Sequence, residues 1–168
     1  MKVSQIKSIP RPALLIIIVL IAYNLFADND APENFKNMEK TIVERVVDGD
    51  TIVISGGERV RLIGINTPES VKEAGEVEYY GKEASSYTKN ILEGKTVYLE
   101  KDVSNKDDYD RLLRYIYLED GTFFNELIVK EGYAFAVTYP PDVKYNEILR
   151  EAENYARENN LGLWGESN

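Results

Sequence analysis

The feature that most constrains the fold is a set of short segments rich in β-branched residues, three of which follow one another closely. Such segments have the composition of strands. The five predicted strands are Thr41–Val47, Thr51–Ser55, Glu58–Ile65, Thr96–Lys101 and Leu112–Leu118. Gly56 and Gly57 form a two-residue hairpin signal between the second and third. The sequence therefore predicts a small sheet that begins with a meander.

Three helices are expected to accompany these strands. Lys82–Glu93 and Asn125–Glu131 are each followed by a glycine, a common helix end. Between Tyr145 and Ala156, apolar residues recur at helical spacing, which predicts a strongly amphipathic helix. Five strands interleaved with three helices fit an α+β fold in which helices close a small β-barrel.

The N-terminus differs in character from the rest of the chain. Three basic residues precede an apolar run at residues 13–27. This pattern predicts a secretory signal peptide or a membrane anchor over residues 1–27. The run is shorter than the ~20 residues of an ordinary spanning helix, which favours a signal, although no clear small-x-small cleavage site surrounds Ala27. Residues 28–40 are polar and predict a flexible linker, which leaves residues 41–165 as the folded domain.

Composition limits the chemistry available to the chain. It has no cysteine and no histidine, which excludes disulfides, a cysteine nucleophile and the usual zinc ligands. A bound metal must therefore lie among oxygen atoms, and such sites suit calcium, magnesium or manganese.

The charge of the folded part is strongly negative. The whole chain carries −9, and residues 1–27 contribute three positive charges and no negative ones, so the remainder carries −12. An acidic body repels nucleic acid at long range. An enzyme that acts on a polyanion would then depend on a local cluster of arginines and a cation.

Charged residues at the ends of the predicted strands supply such a cluster. Asp50 lies in VDGDT, Arg61 and Glu69 lie in RLIGINTPE, and Arg111 opens RLLRYIY. A carboxylate that can hold a metal, a second that can act as a base, and two guanidiniums are the groups that phosphodiester cleavage requires. Val60 and Leu62 share one face of their strand, so Arg61 is expected on the other.

These motifs also carry a resemblance to a known family. The stretch from about Thr41 to Trp164 resembles the staphylococcal-nuclease (thermonuclease-like) family in the order and spacing of its motifs. The motifs are VDGDT, RLIGINTPE, YGKEAS (Tyr80–Ser85), DYDRLLRYIY (Asp108–Tyr117), NELIVKEGYA (Asn125–Ala134) and GLW (Gly162–Trp164). The resemblance implies an OB-type five-stranded barrel closed by three helices, a fold whose surface commonly binds nucleic acid.

The resemblance also implies roles for individual residues. Arg61, Glu69 and Arg111 would be catalytic. Asp50, Asn66 and the backbone carbonyl of Thr67 would bind Ca²⁺. Tyr109 and Tyr139 would contact the substrate. The resemblance implies a calcium-dependent nuclease that cleaves DNA and RNA with little sequence preference and leaves 3′-phosphate ends. With the N-terminal segment, the chain is expected to be an exported enzyme, and a monomer is also expected.

Two positions depart from the family pattern. Asn66 stands where the best-known members carry aspartate, so the metal site has one negative charge less, although an amide oxygen can still bind calcium. Asp110 stands where glycine is usual; its carboxylate is expected either to pair with Arg111 or to face solvent.

Other interpretations of the same residues stay open. The Asn66 change could mark a lost metal site in a non-catalytic nucleic-acid-binding barrel. The apolar N-terminus and acidic surface could belong to a membrane-tethered interaction module. Asp50 could also be a solvated turn residue, Glu69 a turn glutamate after Pro68, and Arg111 a partner of the nearby aspartates.

Overall fold

The computed structural model describes residues 35–70 and 78–165. The predicted signal or anchor at residues 1–27 and most of the predicted linker lie outside these ranges and stay predictions. Within the described ranges, no helix combines the length and apolarity needed to cross a membrane.

The barrel is closed and has five strands, which are β1 (Glu39–Asp48), β2 (Thr51–Ile54), β3 (Arg59–Leu62), β5 (Thr96–Glu100) and β6 (Leu112–Leu118). Their order around the barrel is β1-β2-β3-β6-β5. Neighbouring barrel strands are antiparallel except β3 and β6, which are parallel. A two-stranded sheet pairs β4 (Ile65–Asn66) with β7 (Phe135–Ala136). The predicted five-stranded barrel is confirmed.

Three helices cover the barrel, close to the predicted positions. They are α1 (Gly81–Leu92), α2 (Phe124–Lys130) and α3 (Asn146–Glu158), and a 3₁₀ turn follows at Gly162–Trp164. The helical spacing of α3 buries Leu149, Ala152 and Ala156. The first two belong to the main hydrophobic core.

The alternation predicted for β3 is also observed. Val60 and Leu62 are at most 1% exposed and belong to the core, whereas Arg61 lies on the outer face and lines a surface cleft. In the parallel register, Val60 pairs with Leu112. This pairing places Arg111 near Arg61, although the two arginines are far apart in sequence.

The predicted third strand, Glu58–Ile65, is divided into β3 and β4. Gly64 has a φ of 77°, which breaks the extended backbone after Leu62. A Cβ at this position would also collide with Leu149 Cδ1 of α3. The break redirects the chain so that Asn66, Thr67 and Glu69 follow on a separate path toward the cleft.

The folded domain begins earlier than predicted. Phe35 is 5% exposed, and its ring lies 4.7 Å from that of Tyr98 and 5.6 Å from that of Tyr117. β1 starts at Glu39, and its first four residues pair with β5. The prediction of a flexible linker up to residue 40 is therefore wrong for its last part, and the compact unit begins at Phe35.

Candidate active site

One cleft of about 330 Å³ gathers most of the predicted site residues on the outside of the barrel. It lies between the β1–β2 turn, β3, the segment after β4, and the start of β6. The cleft is lined by Val47, Asp48, Asp50, Thr51, Arg59, Arg61, Asn66, Glu69 and Arg111. Residues from four separate segments of the sequence thus meet at one surface.

Asp50 is held rigidly at the base of this cleft. It is 7% exposed; its Oδ1 accepts a hydrogen bond from the Thr51 hydroxyl at 3.0 Å, and its Oδ2 accepts one from the Thr67 amide at 2.9 Å. The preceding turn is fixed as well, since Thr88 Oγ1 donates to the Gly49 carbonyl at 2.7 Å. Asp50 is therefore an ordered, buried carboxylate and not a solvated turn residue.

Close packing explains the glycine in this turn. A Cβ on Gly49 would lie 2.7 Å from Oγ1 and Cγ2 of Thr67, closer than van der Waals contact permits. Gly49 therefore lets Thr67, which is 2% exposed, approach the turn and donate its amide to Asp50.

Arg61 bridges two of the residues assigned to the metal. Its Nη1 lies 2.6 Å from Asp50 Oδ2 and also donates to the Asp50 carbonyl at 3.3 Å. Its Nη2 donates to Asn66 Oδ1 at 3.0 Å. The guanidinium thus neutralises Asp50 and also fixes the Asn66 amide oxygen.

Glu69 lies at the edge of the cleft on the segment that follows β4. Its amide donates to Glu78 Oε2 at 3.0 Å, and the Glu78 amide donates to the Glu69 carbonyl at 3.0 Å. A Cβ on Gly81, the first residue of α1, would collide with that carbonyl. The start of α1 therefore positions the Glu69 backbone, while its exposed side chain faces the cleft.

The surroundings of Glu69 favour its protonated form. Partial loss of solvation raises the pKa of Glu69, and a hydrogen bond from its side chain to Asp48 raises it further. The charges of Asp48, Asp50 and Glu78 act in the same direction. A carboxylate with a raised pKa accepts a proton more readily, which suits a general base.

Arg111 is oriented by a carboxylate from its own loop. Its Nε and Nη2 each lie 2.7 Å from Asp107 Oδ2, and its amide donates to Asp107 Oδ1 at 3.0 Å. Partial burial raises the pKa of Asp107, but hydrogen bonds from Arg111 and the Tyr109 amide outweigh burial and hold that pKa below its ordinary value. Arg111 is thus a partner of a nearby aspartate and also lines the cleft.

Asp110 shows why glycine suits its position. Its φ is 63°, in the left-handed region that glycine adopts without strain and that aspartate tolerates better than most residues. Its carboxylate pairs with Lys106 Nζ at 2.9 Å and is 86% exposed. The side chain therefore faces solvent, which was one of the two expected alternatives. Its ion-pair partner is Lys106 and not Arg111.

The two predicted substrate-contacting tyrosines lie outside the first cleft. Tyr109 is 81% exposed, and the Arg111 guanidinium lies 5.4 Å from its ring centroid. Tyr139, 64% exposed, lines a neighbouring cleft of about 270 Å³ that also includes Arg61 and Arg111. Leu62, Ile65 and Leu113 contribute apolar surface to this second cleft. The two clefts therefore share both predicted clamp arginines.

The donor set fits a hard cation with few protein ligands. Asp50 and Asn66 each direct an oxygen to the Arg61 guanidinium, and Asp48 and Glu69 add two carboxylates to the same cleft. Among residues 35–70 and 78–165, no three side chains of aspartate, glutamate, histidine or cysteine converge on one metal position. A cation here would therefore complete its shell with backbone and water oxygens, as Ca²⁺ and Mg²⁺ commonly do.

Sequence reasoning missed three residues of the site. Asp48 lines the cleft beside Asp50 and contributes to the raised pKa of Glu69. Asp107 precedes Arg111 by four residues and orients it. Arg59 lies two residues before Arg61 and lines the same cleft. Because side chains at i and i+2 share a strand face, the sequence could have predicted this position.

Comparison with known proteins identifies the family of the chain. The profile of the family described as "Staphylococcal nuclease homologue" matches residues 59–166. A thermonuclease of Staphylococcus intermedius is 42% identical over 153 residues, which cover 88% of this chain and 90% of the relative. A thermonuclease of Staphylococcus hyicus is 42% identical over 125 residues, 73% of each chain. Endonuclease YncB of Bacillus subtilis is 35% identical over 153 residues, 86% of this chain and 72% of the relative. The chain belongs to the staphylococcal nuclease homologue family.

Proposed function

We propose that this protein is an exported, calcium-dependent nuclease that hydrolyses DNA and RNA with little sequence preference and leaves 3′-phosphate ends. Its family, with relatives named thermonuclease and endonuclease, makes the chain a nuclease that hydrolyses phosphodiester bonds. The observation that carries the catalytic assignment is that Arg61, Glu69 and Arg111 line one cleft with Asp50.

The two arginines are suited to the phosphoryl oxygens. A guanidinium can donate two parallel hydrogen bonds to a phosphate and stabilises the negative charge that grows in the transition state. Arg61 and Arg111 approach the cleft from different strands, and each is pre-oriented by a carboxylate, Asp50 or Asp107. They therefore clamp the scissile phosphate from two sides.

Glu69 activates or orients the attacking water. Its raised pKa brings its proton affinity closer to that needed to take a proton near neutral pH. Asp50, Asn66 and the Thr67 carbonyl would hold Ca²⁺, which when bound supplies Lewis-acid neutralisation of the phosphate and acidifies nearby water. Tyr109 and Tyr139 provide exposed rings on which bases stack without strong sequence preference.

The cellular location and assembly follow from sequence and composition. The basic and apolar segment at residues 1–27 supports a secreted or extracytoplasmic, membrane-anchored enzyme, with residues 13–27 as the tether if the segment is retained. The proposed enzyme is a monomer.

The alternative is a non-catalytic nucleic-acid-binding barrel. Two observations favour it: Asn66 supplies no charge, and Arg61 already occupies the oxygens of both Asp50 and Asn66. A binding module would, however, have no use for a carboxylate with a raised pKa beside the phosphate clamps. The third hypothesis, a membrane-tethered interaction module, gains no such support from the described residues of the site.

A labelled oligonucleotide tests the proposal. Single-stranded DNA and RNA, each with a 5′ label, are incubated with the protein in Ca²⁺, in Mg²⁺ and in chelator, and the ends of the products are tested with a 3′-phosphatase. The proposal predicts calcium-dependent cleavage to phosphatase-sensitive ends. Binding without cleavage at any calcium concentration would favour the non-catalytic barrel.

A further inference from the structure

A row of exposed arginines extends from the cleft across the outer face of the barrel. Arg59 lies two residues before Arg61 on β3, so both side chains project from the same face, and both line the same cleft. Arg45 on β1 and Arg59 are exposed. Neither belongs to the catalytic set described above.

Strand register places Arg45 directly beyond Arg59. Arg45 pairs with Val53 in the β1–β2 ladder, and Val53 pairs with Arg59 in the β2–β3 ladder. Directly paired residues share a sheet face, so the three form one cross-strand row. The backbones of Arg45 and Arg59 are about 10 Å apart, twice the spacing between neighbouring strands.

The two arginines differ from the clamps in their charge partners. Arg61 and Arg111 are ion-paired with Asp50 and Asp107. In the part of the chain that the structure describes, Arg45 and Arg59 make no ion pair or hydrogen bond through their side chains. Glu44, which precedes Arg45, accepts a hydrogen bond from the Gly56 amide at 3.3 Å. Two guanidiniums are therefore free to receive an anion beside the cleft.

We propose that Arg59, with Arg45 beyond it, binds the backbone phosphate of the nucleic-acid strand next to the phosphate that Arg61 and Arg111 clamp. This inference rests on the proposed function. Arg59 and Arg61 are about 6.5 Å apart along the strand, which is comparable to the separation of successive phosphates in an extended single strand. In a body of charge −12, a local arginine row provides the attraction that the whole surface lacks.

The competing role for these arginines is apolar cover. Val53 points outward yet is only 4% exposed, and the aliphatic stems of its neighbours could shield it. Arg59→Met separates the two roles, because methionine retains an apolar side chain of similar length and loses the charge. Arg59→Lys retains the charge. Arg150→Met, at an exposed position of α3 away from the cleft lining, is the matched control.

The experiment measures KM, kcat and the salt dependence of kcat/KM on a long single-stranded oligonucleotide and on a substrate with one phosphodiester bond. Arg59→Met should raise KM several-fold for the long substrate, with a smaller effect on the short one. It should also make the slope of log kcat/KM against log salt shallower by about 0.7, the value for one contact to a single strand. Arg59→Lys should keep the wild-type slope, and Arg150→Met should behave as wild type.

An unchanged KM and slope in Arg59→Met, in a protein that cleaves the oligonucleotide, would overturn the inference and leave the proposed function standing. If the wild type cleaves nothing, the proposed function fails, and fluorescence anisotropy of the labelled oligonucleotide then decides the inference. Weaker binding with a shallower salt slope in Arg59→Met supports it. Equal binding by Arg59→Met and wild type overturns it.

Discussion

Gly81 at the start of α1 lies against the backbone carbonyl of Glu69, so closely that a single added methyl group would collide with it. The helix thereby fixes the segment that carries the proposed base. Gly81→Ala should shift that segment and lower kcat, and overpacking should cost about 1–3 kcal/mol of stability.

Helix propensity alone predicts the opposite sign, because alanine favours helix over glycine by up to ~1 kcal/mol. Urea unfolding and initial rates on a single-stranded substrate measure both effects. Ser86→Ala, at an exposed position of the same helix, is the control. A Gly81→Ala protein as stable and as active as that control would show that the contact does not position Glu69.

Asp48 is expected to influence the protonation of Glu69, whose pKa is raised first by partial burial and then by this neighbouring carboxylate. Asp48→Asn removes a neighbouring negative charge and should lower the pKa of Glu69, so the acid limb of the kcat/KM profile should move to lower pH. Glu158→Gln, an exposed charge change at the end of α3, should leave the limb in place. If the two variants give the same profile, Asp48 does not act on the base.

The same shift predicts a stability change in metal-free protein. A carboxyl whose folded pKa is raised above its unfolded pKa stabilises the fold only while protonated, and that contribution is lost as pH rises through the folded value. Asp48→Asn should therefore raise the melting temperature at neutral pH more than below the ordinary pKa of glutamate. Melting curves at both pH values in chelator provide the measurement.

Asn66 offers a test of the metal shell. Its amide oxygen accepts a hydrogen bond from Arg61, which is also ion-paired with Asp50. A second carboxylate at this position would add negative charge around a bound cation. Asn66→Asp should bind calcium more tightly and reach full activity at lower calcium concentration. Calorimetric titration compares the two proteins, and equal affinities would remove Asn66 from the shell.

The N-terminal boundary is testable by truncation. A chain beginning at Phe35 keeps the ring contacts with Tyr98 and Tyr117 and the first pairs between β1 and β5. A chain beginning at Thr41 loses them and should be less stable by several kcal/mol, since replacing a buried phenylalanine by alanine alone costs about 3–5 kcal/mol. Phe35→Ala in the longer chain should reproduce most of the loss in denaturant unfolding. Equal stability of the two truncated chains would restore the boundary at Thr41.

Local patterns account for much of the fold and for the site residues. Alternation placed Arg61 opposite Val60 and Leu62, and helical spacing located α3, because both patterns report burial within one element. The missed features depend on partners remote in sequence. Gly64 breaks a strand against Leu149, and Phe35 packs on Tyr98 and Tyr117.

The same reasoning applies within the site. The sequence indicated Glu69 and Arg111 as charged residues near strand ends, but not that Asp48 would reach Glu69 or that Asp107 would hold Arg111 from two directions. Asp48 and Glu69 come together where separate segments meet, whereas the Asp107–Arg111 contact depends on the conformation of a single irregular loop. Local patterns in a single sequence do not predict such tertiary contacts.

The central claim is that Glu69 acts on the water that attacks phosphorus. Its most direct test is the single-turnover rate of oligonucleotide cleavage by Glu69→Gln at saturating calcium, with the fold checked by circular dichroism. The account predicts a loss of at least about 100-fold with the clamps and substrate binding retained. Cleavage by Glu69→Gln at close to the wild-type rate would contradict it.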